Sequence, residues 1–292
     1  MNQITLQAHA KINLTLDVTG KLENGYHTVK MVMQSLALHD DVTITRGTAN
    51  GIQMKSNLRF LPTDYSNLAV RAAMLLLKET GIKNDGIHIQ LFKRIPVAAG
   101  LAGGSTNAAA VLRALNKLYD IGLSMDDLCE IGLKIGADVP YCLRGGSMLA
   151  EGIGEILTPL PPMPNCHVIV CKPSFSVVTA KIYARMNGGK LPLRPDTAGM
   201  IQALENADYP AICHRLFNVM EAVTGVDHTE IKEIEDTLLE SGADGAVMSG
   251  SGPTVFGLFS NFDKAKLAMQ TLKTHYRETY LTTILREPNK IL

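Results

Sequence analysis

The first stretch of the chain alternates between apolar and polar residues. From Ile4 to Val18, every even position is apolar and every odd position is polar. A period of two over this length predicts an extended strand with one buried and one open face, long enough to bend partway. On this strand His9, Lys11 and Asn13 point to the same side. The pattern therefore predicts a polar group of side chains on one face of the first strand.

The rest of the chain predicts strands mixed with helices, without the regular βαβα order of a doubly wound sheet. We therefore expect an α+β fold. Asp40 and Asp41 are interpreted as a turn between two strands, and Ser124 with Asp127 as a capping pair. Strands are predicted over residues 29–38, 42–45, 86–91, 167–171 and 280–285, and a hairpin over 246–259. One helix is predicted over residues 68–78, capped at Ser66-Asn67 and stopped by Gly81. A second helix is predicted after residue 107, and a third ends near Gly136.

A cluster of prolines divides the chain. Residues 159–164 contain four prolines in six positions, and such a stretch forms neither a helix nor a central strand. The chain of 292 residues is long enough for two domains with a core each. The sequence predicts one domain over residues 1–160 and a second over residues 161–292.

Charge and cysteine content exclude several classes of function. Lys plus Arg and Asp plus Glu number 28 each, so no net field attracts nucleic acid or an anionic membrane. No window approaches the ~20 apolar residues of a membrane span, and the N-terminus lacks a signal-like apolar core. The five cysteines form no C-x-x-C pair. We expect a cytoplasmic protein with no nucleic-acid or membrane partner, whose oligomeric state the sequence leaves open.

The strongest chemical signal is a glycine-rich run at residues 96–107, between a predicted strand and a predicted helix. Gly100, Gly103 and Gly104 allow the backbone to wrap around an anion, and the helix N-terminus adds partial positive charge. The run lacks the lysine of a Walker A loop and the spacing of a dinucleotide fingerprint. It predicts a phosphate-binding loop. A small-residue loop that only packs a helix tightly is the alternative.

Two further runs are weaker. Residues 248–254 (Met-Ser-Gly-Ser-Gly-Pro-Thr) read best as a hairpin turn, or as a second wall of the same site. Residues 136–140 (Gly-Ala-Asp-Val-Pro) place Asp138 at the end of a helix, where it is either a turn former or the carboxylate that accepts a hydroxyl proton. Lys11 is then the candidate to stabilise the developing alkoxide.

Taken in order, the first strand and the two glycine-rich runs resemble the three motifs of the GHMP kinase superfamily, and the resemblance spans essentially the whole chain. It implies an ATP-dependent kinase for a small-molecule alcohol, with an N-terminal domain like domain 2 of ribosomal protein S5 and a ferredoxin-like C-terminal domain. The runs A-K-I-N-L (residues 10–14), N-G-Y-H (24–27) and G-A-D-V-P (136–140) resemble members that act on a cytidine diphosphate-linked polyol.

The resemblance also implies roles for particular residues. Asp138 is implied as the catalytic base, with Lys11 beside it, and Ser105 as the protein contact to Mg²⁺. ATP binding is implied for Asn67, Lys93, Pro96, Val97, Ala98, Ala99, Gly100, Leu101, Ala102, Gly103, Gly104, Ser105 and Thr106. Substrate binding is implied for Asn13, Tyr26, His27, Thr179 and Tyr183.

The loop departs from the family pattern at a few positions. Ala98, Ala99 and Ala102 stand where many members have glycine, and we expect them to fit with negative φ. Thr106-Asn107 replaces Ser-Ser or Ser-Asp, which leaves the Mg²⁺ shell open.

Two alternative functions remain. The first is a homoserine or mevalonate kinase, which does not account for Gly25-Tyr26-His27. The second is a non-catalytic nucleotide- or RNA-binding module. The balanced charge opposes RNA binding, and the presence of both Lys11 and Asp138 opposes a loss of catalysis.

Overall fold

The computed structural model describes residues 2–47, 51–186 and 193–286, and it confirms the α+β class. The strands are β1 (Gln3–Lys21), β2 (His27–Arg46), β3 (Ile52–Ser56), β4 (Ile87–Phe92), β5 (Ser147–Glu151), β6 (Ile156–Pro159), β7 (His167–Lys172), β8 (Phe217–Asn218), β9 (Gly245–Met248), β10 (Val255–Phe259) and β11 (Glu278–Thr283). The helices are α1 (Leu68–Thr80), α2 (Gly103–Leu118), α3 (Met125–Leu133), α4 (Val139–Arg144), α5 (Thr179–Met186), α6 (Thr197–Glu205), α7 (Tyr209–His214), α8 (Glu221–Asp227), α9 (Glu230–Glu240) and α10 (Phe262–Lys273).

The long first strand is confirmed, and it serves two hydrophobic cores. Its register with β2 shifts between His9 and Lys11 and again between Asn13 and Thr15. Such irregularities bend a strand and turn its faces. The buried even residues consequently divide between a core shared with α1 and α2 (Ala8, Leu16, Val18) and a core shared with β7 and β10 (Ala10, Ile12, Leu14). Lys11 and Asn13 therefore lie on a strand that both cores hold in place.

The second strand corrects one prediction. Residues 27–46 form a single strand, and Asp40 lies inside it with none of its surface exposed, so Asp40-Asp41 is not a turn. β2 pairs antiparallel with β1 along its length and with β4 over residues 41–46. A buried carboxylate is tolerated in the sheet because it is hydrogen-bonded by Lys93, Asn107 and two backbone amides.

The N-terminal sheet has the strand order β3-β4-β2-β1-β8, with β5 pairing to β2 and β6 pairing to β5. α1 begins at the predicted cap, where the Asn67 side chain accepts a hydrogen bond from the Ala69 amide at 3.0 Å, and it ends at Gly81 with φ of 67°. The predicted capping box of Ser124 and Asp127 is present at the start of α3. Local capping signals therefore predicted both helix starts.

The second half of the chain forms a four-stranded antiparallel sheet in the order β11-β7-β10-β9, and the predicted hairpin is the β9–β10 pair. The second half also adds one short strand to the N-terminal sheet, since β8 pairs parallel with β1. The division predicted after residue 160 falls in the segment between β6 and β7, and it stays a prediction as a domain boundary. Within the described residues, no helix combines the length and hydropathy needed to cross a bilayer.

Candidate active site

A cleft of about 1040 Å³ lies between the two halves of the molecule, and both contribute to its walls. The structure brings nearly all the predicted site residues to this cleft. Those that line it are Lys11, Asn13, Tyr26, His27, Asn67, Lys93, Pro96, Val97, Ala98, Ala99, Gly100, Ala102, Gly103, Gly104, Ser105, Asp138, Thr179 and Tyr183.

Leu101 and Thr106 are the two predicted residues that do not line the cleft. The Leu101 side chain is 1% exposed in the core shared with β7 and β10, and its carbonyl accepts a hydrogen bond from the Lys11 amide at 3.2 Å. Thr106 is buried within α2. Apolar packing and helix geometry turn these two side chains inward, so the structure does not support direct ATP contacts by them.

The glycine-rich run at residues 96–107, here called the phosphate loop, has a strained backbone. Ala98 and Ala102 have φ of 51° and 56°, so the expectation of negative φ is wrong for both. Left-handed backbone costs a residue with a Cβ roughly 1–2 kcal/mol. Ala102 is also the N-cap of α2 and makes no side-chain capping bond. The first amides of α2 therefore face the cleft without a side-chain cap, as an anion site requires.

Residues 249–252, the centre of the second glycine-rich run (248–254), are here called the second loop, and they pack directly on the phosphate loop. The Ser249 hydroxyl donates to the Gly100 carbonyl oxygen at 3.1 Å. A Cβ atom added at Gly100 would lie 2.2 Å from the Ser249 carbonyl oxygen, so only glycine allows this approach. Gly250, Ser251 and Gly252 line the cleft. The second loop is thus a wall of the site, and not only a hairpin turn.

Lys11 and Asp138 face the same cleft from different elements. The Lys11 ammonium donates to Asn13 Oδ1 at 2.6 Å, and Asn13 Nδ2 contacts Met31 Sδ at 3.2 Å. Asp138 occupies the N-cap position of α4, but its side chain makes no capping hydrogen bond. If Asp138 served only to form the turn, its carboxylate would be expected to cap the helix, and it does not. This arrangement can place a base and a cation around one hydroxyl.

Lys93 contacts the cleft but is held by other side chains. Its ammonium donates to the Asp40 carboxylate, and to Asn107 Oδ1 at 2.9 Å. Burial lowers the pKa of Lys93, and the Asp40 charge partly offsets that effect. Asp40 Oδ1 also accepts from the Arg94 and Ile95 amides at 2.7 and 2.9 Å. The Asp40–Lys93 pair thus connects β2 to Arg94 and Ile95, just before the phosphate loop, and to Asn107 at its end. Lys93 therefore supports the loop through these bonds.

Aromatic residues from both halves meet at one end of the cleft. The rings of His27 and Tyr183 stack with centroids 4.9 Å apart and planes inclined by 23°. Burial, followed by the charge of Asp138, raises the pKa of Tyr183 to about 12, so its hydroxyl is protonated at neutral pH. Tyr26 is 58% exposed beside them. Thr179 shares a 2.8 Å hydrogen bond with the Ser251 hydroxyl, which links α5 to the second loop.

Sequence reasoning missed several residues of the cleft and its support. Asp40 carried a detectable signal, because it continues the buried even positions Leu36, Val42 and Ile44 of β2. Other lining residues carry no motif, since they are isolated apolar side chains or a surface lysine. They include Leu16, Lys21, Met31, Leu61, Ile153, Val177 and Met220.

Comparison with known proteins agrees with this geometry. Residues 67–146 match the family described as GHMP kinases N terminal domain, and residues 200–278 match GHMP kinases C terminal. The chain is 45% identical over 281 residues to the 4-diphosphocytidyl-2-C-methyl-D-erythritol kinase of Alkaliphilus metalliredigens, with 96% of each protein covered. It is 47% identical over 291 residues to the protein of that name from Lachnoclostridium phytofermentans, covering 99% of this chain and 100% of that one. A solved 4-(cytidine 5'-diphospho)-2C-methyl-D-erythritol kinase superposes with a TM-score of 0.82 at 32% identity, over 96% of this chain and 99% of that chain.

Proposed function

This chain belongs to the GHMP kinase family, and we propose that it transfers the γ-phosphoryl group of ATP to the 2-hydroxyl of 4-diphosphocytidyl-2-C-methyl-D-erythritol. The reaction is a step of the methylerythritol phosphate route to isoprenoid precursors. One observation carries the proposal. A single cleft joins an anion-binding loop, an uncapped carboxylate with a nearby lysine, and an aromatic end built from both halves of the chain.

The phosphates of ATP are proposed to bind the phosphate loop. The amides at the start of α2 point toward the cleft without a side-chain cap, and Gly103, Gly104 and Ser105 line it there. Asn67 lines the cleft at the N-terminus of α1 and completes the nucleotide side. Lys93 contributes by holding the loop through Asp40, so its effect on ATP is largely indirect.

Asp138 and Lys11 are proposed to carry the chemistry. The substrate hydroxyl gives its proton to the Asp138 carboxylate while its oxygen bonds to the γ-phosphorus. The bond from that phosphorus to the β,γ-bridging oxygen breaks, and ADP leaves. Lys11, oriented by Asn13, stabilises the negative charge that develops on the oxygens.

The residues present fit a Mg²⁺ ion that takes most of its ligands from phosphate. No group of three or more His, Cys, Asp or Glu side chains able to enclose a metal exists within the described parts of the chain. Mg²⁺ in nucleotide sites commonly uses only one or two protein ligands. Ser105, which lines the cleft at the start of α2, would supply a hydroxyl oxygen. When bound, the ion neutralises charge on the β- and γ-phosphates.

The cytidine end of the substrate is proposed to bind at Tyr26, His27 and Tyr183, with Thr179 nearby. At a centroid separation of 4.9 Å no base fits between His27 and Tyr183. The cytosine ring therefore packs on an open face of that stack, with the exposed Tyr26 as a second aromatic surface. We further propose that the enzyme has no nucleic-acid partner, because its charges are balanced, and that it works in the cytoplasm.

A substrate panel tests the function. ADP release is measured with wild-type protein, ATP and Mg²⁺ against the cytidine diphosphate-linked polyol, mevalonate and homoserine, with Asp138→Asn as the matched control. We expect turnover of the first substrate alone and its loss in the control. Preferred turnover of mevalonate or homoserine would assign another alcohol kinase. ATP binding without turnover of any substrate would assign a non-catalytic nucleotide-binding protein.

A further inference from the structure

A short segment beside the cleft, of which only Met220 is among the lining residues, connects the strand of Lys11 to the second loop. Residues 217–224, here called the bridging segment, begin with β8, which pairs parallel with Thr15 and Leu16 of β1. The Val219 amide also donates to the Leu16 carbonyl oxygen at 3.0 Å. The segment is therefore fixed to the same strand that carries Lys11.

Asn218 makes the central contacts from this segment to the second loop. It is 4% exposed, and its Nδ2 donates to the carbonyl oxygens of Met248 and Gly250 at 2.7 and 2.8 Å. Its Oδ1 accepts from the Met220 amide at 3.0 Å. One buried amide thus satisfies the carbonyl before the second loop and a carbonyl within it.

Glu221 and Thr224, in the same segment, make further hydrogen bonds to the second loop and to Met248 just before it. Glu221 Oε2 accepts a hydrogen bond from the Met248 amide at 3.0 Å. The Thr224 hydroxyl donates to the Ser251 carbonyl oxygen at 3.4 Å. The bridging segment is therefore hydrogen-bonded to Gly250 and Ser251 of the second loop and to Met248 just before it.

The position of the second loop matters for the chemistry because the loop lies against Lys11. A Cβ atom added at Gly250 would lie 3.5 Å from Lys11 Nζ and 3.1 Å from the Gly100 carbonyl oxygen. A shift of the loop by a fraction of this distance would change the space around the lysine and the phosphate loop. Misplacement of about 1 Å in a reacting geometry can cost about 10²-fold in rate.

We propose that Asn218 is a positioning residue for phosphoryl transfer, which holds the second loop in register with Lys11 and the phosphate loop. Asn218 itself lies outside the cleft lining and reaches the reacting groups only through backbone carbonyls. The catalytic part of this inference rests on the proposed function. The structural part, the attachment of the loop, does not.

The test compares Asn218→Ala and Asn218→Asp with the same substitutions at Asn116. Asn116 makes the same kind of contacts, with its Nδ2 donating to the Leu123 carbonyl and its Oδ1 accepting from the Leu123 amide, both at 3.0 Å, in a turn away from the cleft. Loop attachment is read by hydrogen exchange of the Ser249 and Gly252 amides. Catalysis is read as kcat per active site, counted by titration with a non-hydrolysable ATP analogue.

We expect faster exchange at both loop amides and a roughly 10- to 100-fold fall in kcat for the Asn218 variants, with each KM within about threefold of wild type. Asn218→Asp keeps the size of the side chain but loses the donor group, so it separates the loss of the two hydrogen bonds from the cavity that alanine leaves; both readings need only one of the two variants to fold. Unchanged exchange in the loop, or a kcat per active site equal to that of the Asn116 variants, would overturn the proposal. If wild type fails to phosphorylate the cytidine diphosphate-linked polyol, the proposed function fails, and the exchange result still decides whether Asn218 holds the loop.

Discussion

The rings of His27 and Tyr183 stack on each other although one begins β2 and the other lies in α5. A histidine of the N-terminal sheet and a tyrosine of the second half thus form one aromatic surface at the end of the cleft. A ligand that packs on this surface contacts both halves of the molecule at once. Binding at the proposed cytidine end should therefore depend on the relative placement of the two halves.

Tyr26→Ala and Tyr183→Ala should each raise the KM for the cytidine substrate by about one to two orders of magnitude, since base–aromatic stacking contributes roughly 1–3 kcal/mol. The KM for ATP should hardly change, because both side chains lie away from the phosphate loop. Isothermal titration with cytidine diphosphate and with a non-hydrolysable ATP analogue checks this. Tyr65→Ala, at a 72% exposed tyrosine outside the cleft lining, is the control. Loss of affinity for the ATP analogue alone would place the two tyrosines at the adenine.

Asp138→Asn should lower kcat by roughly 10²- to 10⁴-fold, the usual effect of removing a positioned base. Stability should be nearly unchanged, because the Asp138 side chain makes no capping bond. Asp127→Asn is the matched control, since Asp127 belongs to a true capping box. That control should lower the free energy of unfolding only slightly, because asparagine keeps an oxygen that accepts from the Ser124 amide, and it should leave kcat intact. A turnover of Asp138→Asn within threefold of wild type would show that the base lies elsewhere.

Asp40→Asn should lower the free energy of unfolding by about 3–5 kcal/mol, because it leaves the Lys93 ammonium buried without its counter-charge. The double variant Asp40→Asn/Lys93→Met should recover part of that loss, since both charges are then gone. Urea denaturation of the single and double variants measures both effects. If Lys93→Met instead weakened ATP binding with no loss of stability, Lys93 would contact the nucleotide directly.

Ala98→Gly and Ala102→Gly should each stabilise the protein by up to about 1 kcal/mol, because glycine adopts their positive φ without steric cost. The greater freedom of glycine in the unfolded chain offsets part of the gain. Ala108→Gly inside α2 should have the opposite effect and destabilise by about 0.5–1 kcal/mol. Thermal unfolding compares the three. Destabilisation by all three to the same extent would contradict a left-handed backbone at Ala98 and Ala102.

Glu235→Gln should make stability less dependent on pH. Glu235 is buried on α9, where burial and the charge of Glu221 raise its pKa to about 9; Lys232, itself paired with Asp236, lowers the pKa slightly. The folded state therefore holds a proton that the unfolded state releases above pH about 4.5, and wild-type stability falls as the pH rises from there to about 9. The side-chain amide of glutamine donates a hydrogen bond at every pH, so it does not depend on the proton that the Glu235 carboxyl group must hold. Its advantage in melting temperature should thus grow between pH 5 and 9, and a constant difference would contradict the prediction.

Much of the fold followed from local pattern, because its causes are local. The alternation of β1, the capping box at Ser124 and the glycine end of α1 each depend on residues a few positions apart. The phosphate loop and Asp138 were predicted from their composition and motifs, and the structure shows that they line one cleft. These signals require no knowledge of which elements pack together.

The parts that escaped prediction depend on distant partners. Asp40 resembled a turn residue because its counter-charge, Lys93, lies just after β4, 53 positions further along the chain. Asn218 carried no signal because its partners lie beyond α8 and α9, in the β9–β10 hairpin. Ala98 and Ala102, with their positive φ, flank Gly100, the residue on which the distant second loop packs.

The pairing of β1 with β8 has a consequence for a chain still being made on the ribosome. The phosphate loop is complete once residue 107 has been synthesised. The second loop, which packs on it, is complete only once residue 252 has been synthesised. At ~5–20 residues per second, this interval is roughly 7 to 30 seconds. Until residues 217–218 have been synthesised, the edge of β1 at Thr15 and Leu16 has no partner strand from the second half. Lys11 and the phosphate loop therefore gain these packing partners only from the last third of the polypeptide, so the walls of the cleft are completed late in synthesis.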